Sequence, residues 1–348
     1  MKFMAVEAVL PSLALTNDDV LKQIISASSA SLSALAQARL AVAFKILFDR
    51  AGTQVRYVRA QGESAADLTC RAGRKALEAA TLSPTDIDLL MYVGVGRGFI
   101  EPATANVFQD RLGLKQATCF DVLDACASWL RALHIAHAFL RCGLYRHIMI
   151  LNGEFNVKEY TNFTFGSTEE LHHNFAPFTI GEAATATIVG QSTQDPEYHA
   201  TFRSWGELRH LCMIPLPNIR DYNGASTPAH ARALAFYSYS RELFDQASTK
   251  LVAHFKSDAL IHQYRPDIAF GHAASDAAAE QIARECGAAP SLFYRTHARF
   301  GNTVSASVPL AIASALHEGK LQDDMKIMIG MASAGMSTAW ARFRFNRH

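Results

Sequence analysis

The sequence predicts an α/β protein whose sheets are covered on both faces. Short, continuous apolar runs alternate with segments of helical period along almost the whole chain, and several of these runs carry no polar residue, as strands buried on both faces do. Of 348 residues, 49% are hydrophobic and only 19% charged, which is enough apolar side chain for a large core and excludes a disordered chain. Thirty-three basic residues against 32 acidic ones give a net charge of +1, so no global field favours nucleic acid, an anionic membrane or a polyanionic substrate.

The elements follow in order. The opening MKFMAVEAVLPSLAL reads as a strand, because Glu7 and Pro11 interrupt what would be the apolar core of a signal peptide. Asn17 to Asp49 reads as two helices. Ser64 stands in N-cap position before a helix to Ala80 that places Leu68, Ala72, Ala76 and Leu77 on one face. Asp88–Val95, Ala117–Val122, Arg146–Leu151, Ala184–Val189, Asp267–Gly271, Pro290–Tyr294 and Met325–Met331 are strand candidates. Ala125–Leu140 and Thr303–Leu316 are apolar almost all round, the pattern of central, buried helices. Each follows a candidate strand, one in each half of the chain, as if one unit were used twice. Tyr160–Phe178 is a long excursion without periodicity, and Gln191–Asn223 is polar and irregular. The boundary is therefore expected near Thr193, giving units 1–192 and 193–348. No apolar run is long enough to cross a bilayer.

Six cysteines, without a CxxC pair or the density of a disulfide scaffold, point to a reducing, cytoplasmic setting. Cys126 is distinguished by its place in the first turn of the buried helix. There the helix dipole and unpaired N–H groups are expected to favour the thiolate, although a buried, inert cysteine is the ordinary alternative. His272 ends a predicted strand just before a helix at Ala273–Glu285, a position that lines crevices in α/β sheets; a satisfied loop histidine would need no function. Asn302 opens the second buried helix, either as a cap or as an amide donor facing the same crevice. Gly335, in Met331-Ala-Ser-Ala-Gly-Met, could bring a bare N–H to a reacting oxygen or simply turn a hairpin. Gly94-Val-Gly96-Arg97-Gly98 lacks the dinucleotide spacing, Glu170-Leu-His172-His173 lacks metal-ligand spacing, and there is no Walker loop, HExxH or papain-type context. No cofactor and no metal are expected.

Taken together, Asp121-Val-Leu-Asp-Ala-Cys126-Ala-Ser-Trp, Phe270-Gly-His272-Ala-Ala-Ser and Phe300-Gly-Asn302-Thr-Val-Ser-Ala-Ser-Val-Pro resemble the three active-site blocks of the β-ketoacyl-acyl-carrier-protein synthase III family. Leu82-Ser-Pro-Thr-Asp-Ile-Asp, Gly153-Glu154 and the Gly335 block extend the resemblance from about Ala65 to Phe345. It implies a thiolase fold, two similar βαβαβαββ halves in a five-layered α-β-α-β-α body, and a homodimer joined through the strand around Cys119 to Asp121. It implies that Cys126 is acylated and that His272 and Asn302 bind the thioester carbonyl of a malonyl-type extender. Cys126 and Gly335 would give the oxyanion hole, and Trp129 would contact substrate. The substrates would be acyl thioesters on acyl-carrier protein, coenzyme A or both. The family's tryptophan that stacks on the coenzyme A adenine has no counterpart, since the tryptophans are Trp129, Trp205 and Trp340. A carrier protein would then dock on basic residues such as Arg203, Arg209, Arg220 and Arg265. HAAS in the His block, and Phe178-Thr-Ile-Gly-Glu-Ala-Ala for the glycine-rich block, read as a relative specialised for secondary metabolism more than for fatty-acid initiation. Two other readings stay open: an acyltransferase to an oxygen or nitrogen nucleophile, and a non-catalytic partner subunit of a synthase.

Overall fold

The computed structural model describes residues 1–193, 197–272 and 274–347. Its strands are β1 (Lys2–Val9), β2 (Leu13–Thr16), β3 (Val55–Val58), β4 (Leu89–Val93), β5 (Thr118–Val122), β6 (His147–Glu154), β7 (Ala183–Gly190), β8 (His199–Ser204), β9 (Cys212–Met213), β10 (Tyr237–Ser238), β11 (Ile268–Gly271), β12 (Lys326–Ser333) and β13 (Ser337–Arg344). One sheet has the order β1-β7-β6-β4-β5 and another the order β11-β12-β13-β8. Read from the other edge, the second becomes β8-β13-β12-β11 and repeats the first. An antiparallel edge strand pairs with the last strand of the unit, and the parallel strands lie beyond it. Each sheet draws its strands from one side of Thr193.

The side-chain period of the strands builds the layers. Leu89, Met91 and Val93 of β4, and Ile148 and Ile150 of β6, point inward. They share one core with Ile327, Ile329 and Met331 of β12 and with the helices Ser128–Arg141 and Ser307–His317. The alternate residues Leu90, Tyr92, Met149 and Leu151 face outward onto the helix Ala65–Ala80. On the other side Met328 and Trp340 pack against Leu251 and Phe255 of the helix Ser240–Ser257. The result is an α-β-α-β-α stack, with both all-apolar helices in its middle layer.

The expected boundaries need three corrections. Pro290–Tyr294 forms no strand: Pro290–Leu292 is a 3-10 turn, and the segment's backbone pairs with β11 at a single bridge, Ala269 to Phe293. Pro290 has no N–H to give to a ladder, and the second sheet ends at four strands. Both buried helices begin with a 3-10 turn, at Ala125–Ala127 and Val304–Ala306. The helix after His272 starts at Asp276, where the Ser275 hydroxyl caps the Ala278 N–H; Ala273 lies outside the described residues.

The two early helices are Asn17–Ser28 and Ala34–Ala51, capped by Thr16 and Ser33. Their inner faces meet the excursion before β7 in an aromatic cluster, where the Phe44 ring lies edge-on to Phe165 and Phe178. The same excursion is tied to the second half, because Gly181 N–H donates to Asn302 O (3.1 Å) and Asn302 N–H to Thr179 O (2.8 Å). Gly301 makes this crossing possible. Its φ is +67°, ψ is −162°, and a Cβ there would lie 2.6 Å from the Thr179 carbonyl oxygen. Only glycine adopts that backbone region without strain of about 1–3 kcal/mol. Gly301→Ala is therefore expected to lower the unfolding free energy by about 1–3 kcal/mol, read from denaturant titration, with unchanged stability counting against this account.

Candidate active site

Cys126, His272 and Asn302 converge on the turn Val304–Ala306. The turn Ala125–Ala127, which carries Cys126, packs directly against it and against the end of β12. His272 follows the carboxyl end of β11, and its ring hydrogen-bonds the backbone of Val304. Asn302 Oδ1 accepts the Val304 N–H at 2.9 Å. Asn302 thus forms the cap that its position suggested. Its oxygen caps the turn, which fixes the side chain, and its Nδ2 group is left as a donor with no acceptor among the described residues.

Ser333 ties the end of β12 to the Cys126 turn. It accepts from Ala127 N–H (3.3 Å) and donates to Asp124 O (2.8 Å). The next residue, Ala334, brings its backbone N–H near the Cys126 sulfur. Gly335, the position the sequence suggested, follows directly, with a φ of +128° between β12 and β13.

The protonation states differ from the sequence expectation. Burial, the neighbouring Cys212 and the charge of Glu154 push the Cys126 thiol well above its ordinary range, and the N–H groups of Ala334 and Cys126 itself offset only part of this. Burial, followed by the nearby His297, pushes His272 down to about 4. His297 is fully buried, with Nε2 2.6 Å from the Thr53 hydroxyl. The resting pair is a neutral thiol and a neutral imidazole, because desolvation outweighs the helix-end field. Since His272 takes a proton only as the pH falls toward about 4, no histidine limb near pH 6.5 is expected in its reactions. Since the Cys126 pKa is raised, its alkylation by iodoacetamide is expected to keep accelerating with pH through 9. A plateau below about pH 8.5, the ordinary thiol pKa, would show a stabilised thiolate instead.

Glu154 is a site residue that the sequence reading quoted without assigning a role. Only 1% exposed, its carboxyl accepts from the N–H groups of Val95 (3.1 Å) and Gly96 (3.0 Å), from Asn156 Nδ2 (2.7 Å) and from the Ser305 hydroxyl. It binds the loop after β4 to the turn that carries Asn302, and burial raises its pKa. An acid closing an otherwise apolar strand was the available signal. Trp129 needs correcting in the opposite sense. It is fully buried in the core between the sheets, with Nε1 donating to Thr187 Oγ1 (3.0 Å), so it presents no surface to substrate. Of the four expected arginines, Arg265 precedes β11 whereas His272 follows it, at opposite ends of the strand. Among the described residues no group of His, Cys, Asp and Glu is arranged to hold a metal, and no helix is long and apolar enough to cross a membrane.

Residues 120–206 match the family model described as 3-oxoacyl-[acyl-carrier-protein] synthase III, and residues 264–345 match its C-terminal counterpart. The β-ketoacyl-[acyl-carrier-protein] synthase III of Thiobacillus denitrificans is 25% identical over 307 residues, 86% of this chain and 90% of its own. That of Helicobacter hepaticus is 24% identical over 300 residues, 85% and 87% of the two chains. Among solved structures, 3-oxoacyl-[acyl-carrier-protein] synthase III from Aquifex aeolicus superposes with a TM-score of 0.80 at 22% identity, covering 99% of both chains. Xanthomonas campestris OleA, solved with bound lauric acid and lauroyl-CoA, superposes with a TM-score of 0.84 at 22% identity, covering 99% and 98%. These superpositions establish the thiolase fold, and in both halves, over residues 120–206 and 264–345, the chain is similar to the β-ketoacyl-acyl-carrier-protein synthase III family.

Proposed function

We propose that the protein is an acyl-transferring condensing enzyme of the ketoacyl synthase III type, with Cys126 as nucleophile and His272 and Asn302 as donors to the extender. The observation that carries this reading is the meeting of all three residues around one turn, with a backbone N–H on the sulfur and the Asn302 amide held by its own oxygen. In acylation the Cys126 sulfur attacks the carbonyl carbon of an acyl thioester, the donor's C–S bond breaks, and the departing sulfur takes up the proton that Cys126 loses. The N–H groups of Cys126 and Gly335 would hold the negative oxygen of the tetrahedral intermediate.

A malonyl-type thioester then loses carbon dioxide. The electron pair of the broken C–C bond becomes an enolate, whose oxygen receives hydrogen bonds from neutral His272 and from Asn302 Nδ2. The enolate carbon attacks the acyl carbonyl, and Cys126 leaves as the sulfur that must be reprotonated. A neutral imidazole with a depressed pKa suits this role, since the step needs a donor and no strong base. A β-ketoacyl thioester as extender has no carbon dioxide to lose, so the same donors would hold its enolate only after its α-proton had passed to a base. Specialised metabolism is the setting that the departures in the His and glycine-rich blocks favour. Acyl transfer to an oxygen or nitrogen nucleophile is the second reading, and the freely held Nδ2 of Asn302 counts against it because simple transfer has no enolate to stabilise.

Two copies are proposed to pair along β5, an edge strand whose residues are exposed or half-buried and which runs into Leu123, 60% exposed. Units 1–192 and 193–348 are read as duplicated halves, and the six free cysteines fit a reducing cytoplasm. Intact-protein mass spectrometry after incubation with a panel of acyl thioesters, followed by malonyl thioester with carbon dioxide release measured, tests the central claim. An adduct on Cys126 that malonyl thioester discharges with carbon dioxide is the expected result; discharge only by alcohols or amines would establish the second reading.

A further inference from the structure

The helix Ala34–Ala51 buries Leu40, Phe44 and Phe48, yet its opposite face is also apolar. Leu35, Val42 and Ile46 are 64%, 59% and 48% exposed. At about 100° per residue these three lie within roughly 40° of one another around the helix axis, with exposed Ala38 beside them. Asp49 and then Lys45 border the stripe on one side, and Arg39 and Arg50 border it on the other; all four are exposed, three of them basic. Such a ridge, narrow and with basic margins, has the form of one half of a helix–helix seam. A helix lying in a bilayer needs a much wider apolar face, and exposed Asp49, about 20° from Val42, would be pressed into lipid.

The C-terminal end of this helix leads directly to the active site. Two residues after Ala51, the Thr53 hydroxyl bonds His297, the histidine beside His272, and the Gln54 N–H bonds the Ala298 carbonyl at 3.3 Å. The helix that carries the stripe is therefore joined to His272 through Thr53 and His297.

We propose that the exposed face of Ala34–Ala51 is the docking surface for an acidic amphipathic helix of the protein that carries the acyl thioester. The proposal rests on the condensing-enzyme reading for the partner's identity, and on the stripe and its charges for the partner's chemistry. Leu35, Val42 and Ile46 would meet the partner's apolar ridge, while Arg39, Lys45 and Arg50 would meet its flanking carboxylates. A single-helix seam buries less than the roughly 1,200 Å² of a standard interface, so the complex would be transient, as a partner that delivers its load and leaves requires. The surface is distinct from the Arg203, Arg209, Arg220 and Arg265 set that the sequence suggested.

The test uses the full chain and an octanoyl-loaded acyl-carrier protein. Binding is measured by calorimetry for the wild type, Val42→Glu, Lys45→Glu and, as a control, Arg265→Glu, with circular dichroism to confirm that each is folded. Val42→Glu and Lys45→Glu are expected to weaken binding at least about tenfold, the Lys45 effect shrinking in high salt, while Arg265→Glu binds as the wild type does. Acylation of Cys126 from octanoyl-coenzyme A should be the same in all four. Absence of wild-type binding, or wild-type affinity in both stripe variants, overturns the proposal. So does a stripe-dependent sedimentation with anionic vesicles, or a change from dimer to monomer in the variants, either of which would show that the face has another occupant. A failure of the condensing-enzyme reading is separately visible as no Cys126 adduct from octanoyl-coenzyme A, with the binding arm still deciding the surface.

Discussion

Cys126→Ala is expected to carry no acyl adduct from any thioester that loads the wild type, and condensation should fall by at least about a thousandfold, because covalent transfer has no second route once the nucleophile is gone. The fold should survive. The sulfur is half-buried at the end of a turn that Ser333 holds through Ala127 and Asp124, and none of those bonds involves the Cys126 side chain. Alanine is also a good helix former. Intact mass after thioester incubation, with thermal unfolding in parallel, checks both parts. A stoichiometric adduct on the variant would move the acyl site elsewhere. Cys212, whose proximity raises the Cys126 pKa, is the residue to examine next.

Asn302→Ala should separate the two half-reactions. Loss of one well-placed donor to a developing oxyanion costs about 100- to 1,000-fold in rate, so decarboxylation and condensation should slow by that amount while Cys126 still loads from acyl thioester. The structure adds a complication, because Oδ1 of the same side chain caps the Val304 N–H. Asn302→Asp keeps an oxygen for the cap and removes the N–H donor. If both variants condense slowly and load normally, the lost donor is responsible. If the aspartate variant condenses at the wild-type rate, Asn302 is only a cap, and the acyl-transfer reading gains.

The layers were legible in the sequence because burial on two faces writes itself as unbroken apolar runs, as in Leu89–Val93, and burial all round writes itself as a helix without a polar stripe. Pro290–Tyr294 misled because Leu292, Phe293 and Tyr294 suit a strand by composition, whereas the proline that opens the segment decides its backbone. Trp129 misled for a related reason. It stands in the nucleophile's block, but its ring enters the core between the sheets. The three site residues could be named from their neighbours in sequence, but their protonation could not. The helix-end field on Cys126 is local and readable, whereas the desolvation and the charge of Glu154 that outweigh it come from segments brought together only by folding.

The missing fifth strand of the second sheet bears on how far copies of this chain can assemble. Two halves built alike would each offer a free ribbon of N–H and C=O groups, and a molecule with two sticky edges can grow without limit into fibres. Here one ribbon is blunted, since β11 is shielded by the 290–294 segment, with its proline and its single bridge. At the matching edge of the first sheet, β5 carries no such cover among the described residues. If β5 pairs with the same strand of a second copy, the two-fold arrangement consumes both ribbons at once, and growth stops at a closed pair.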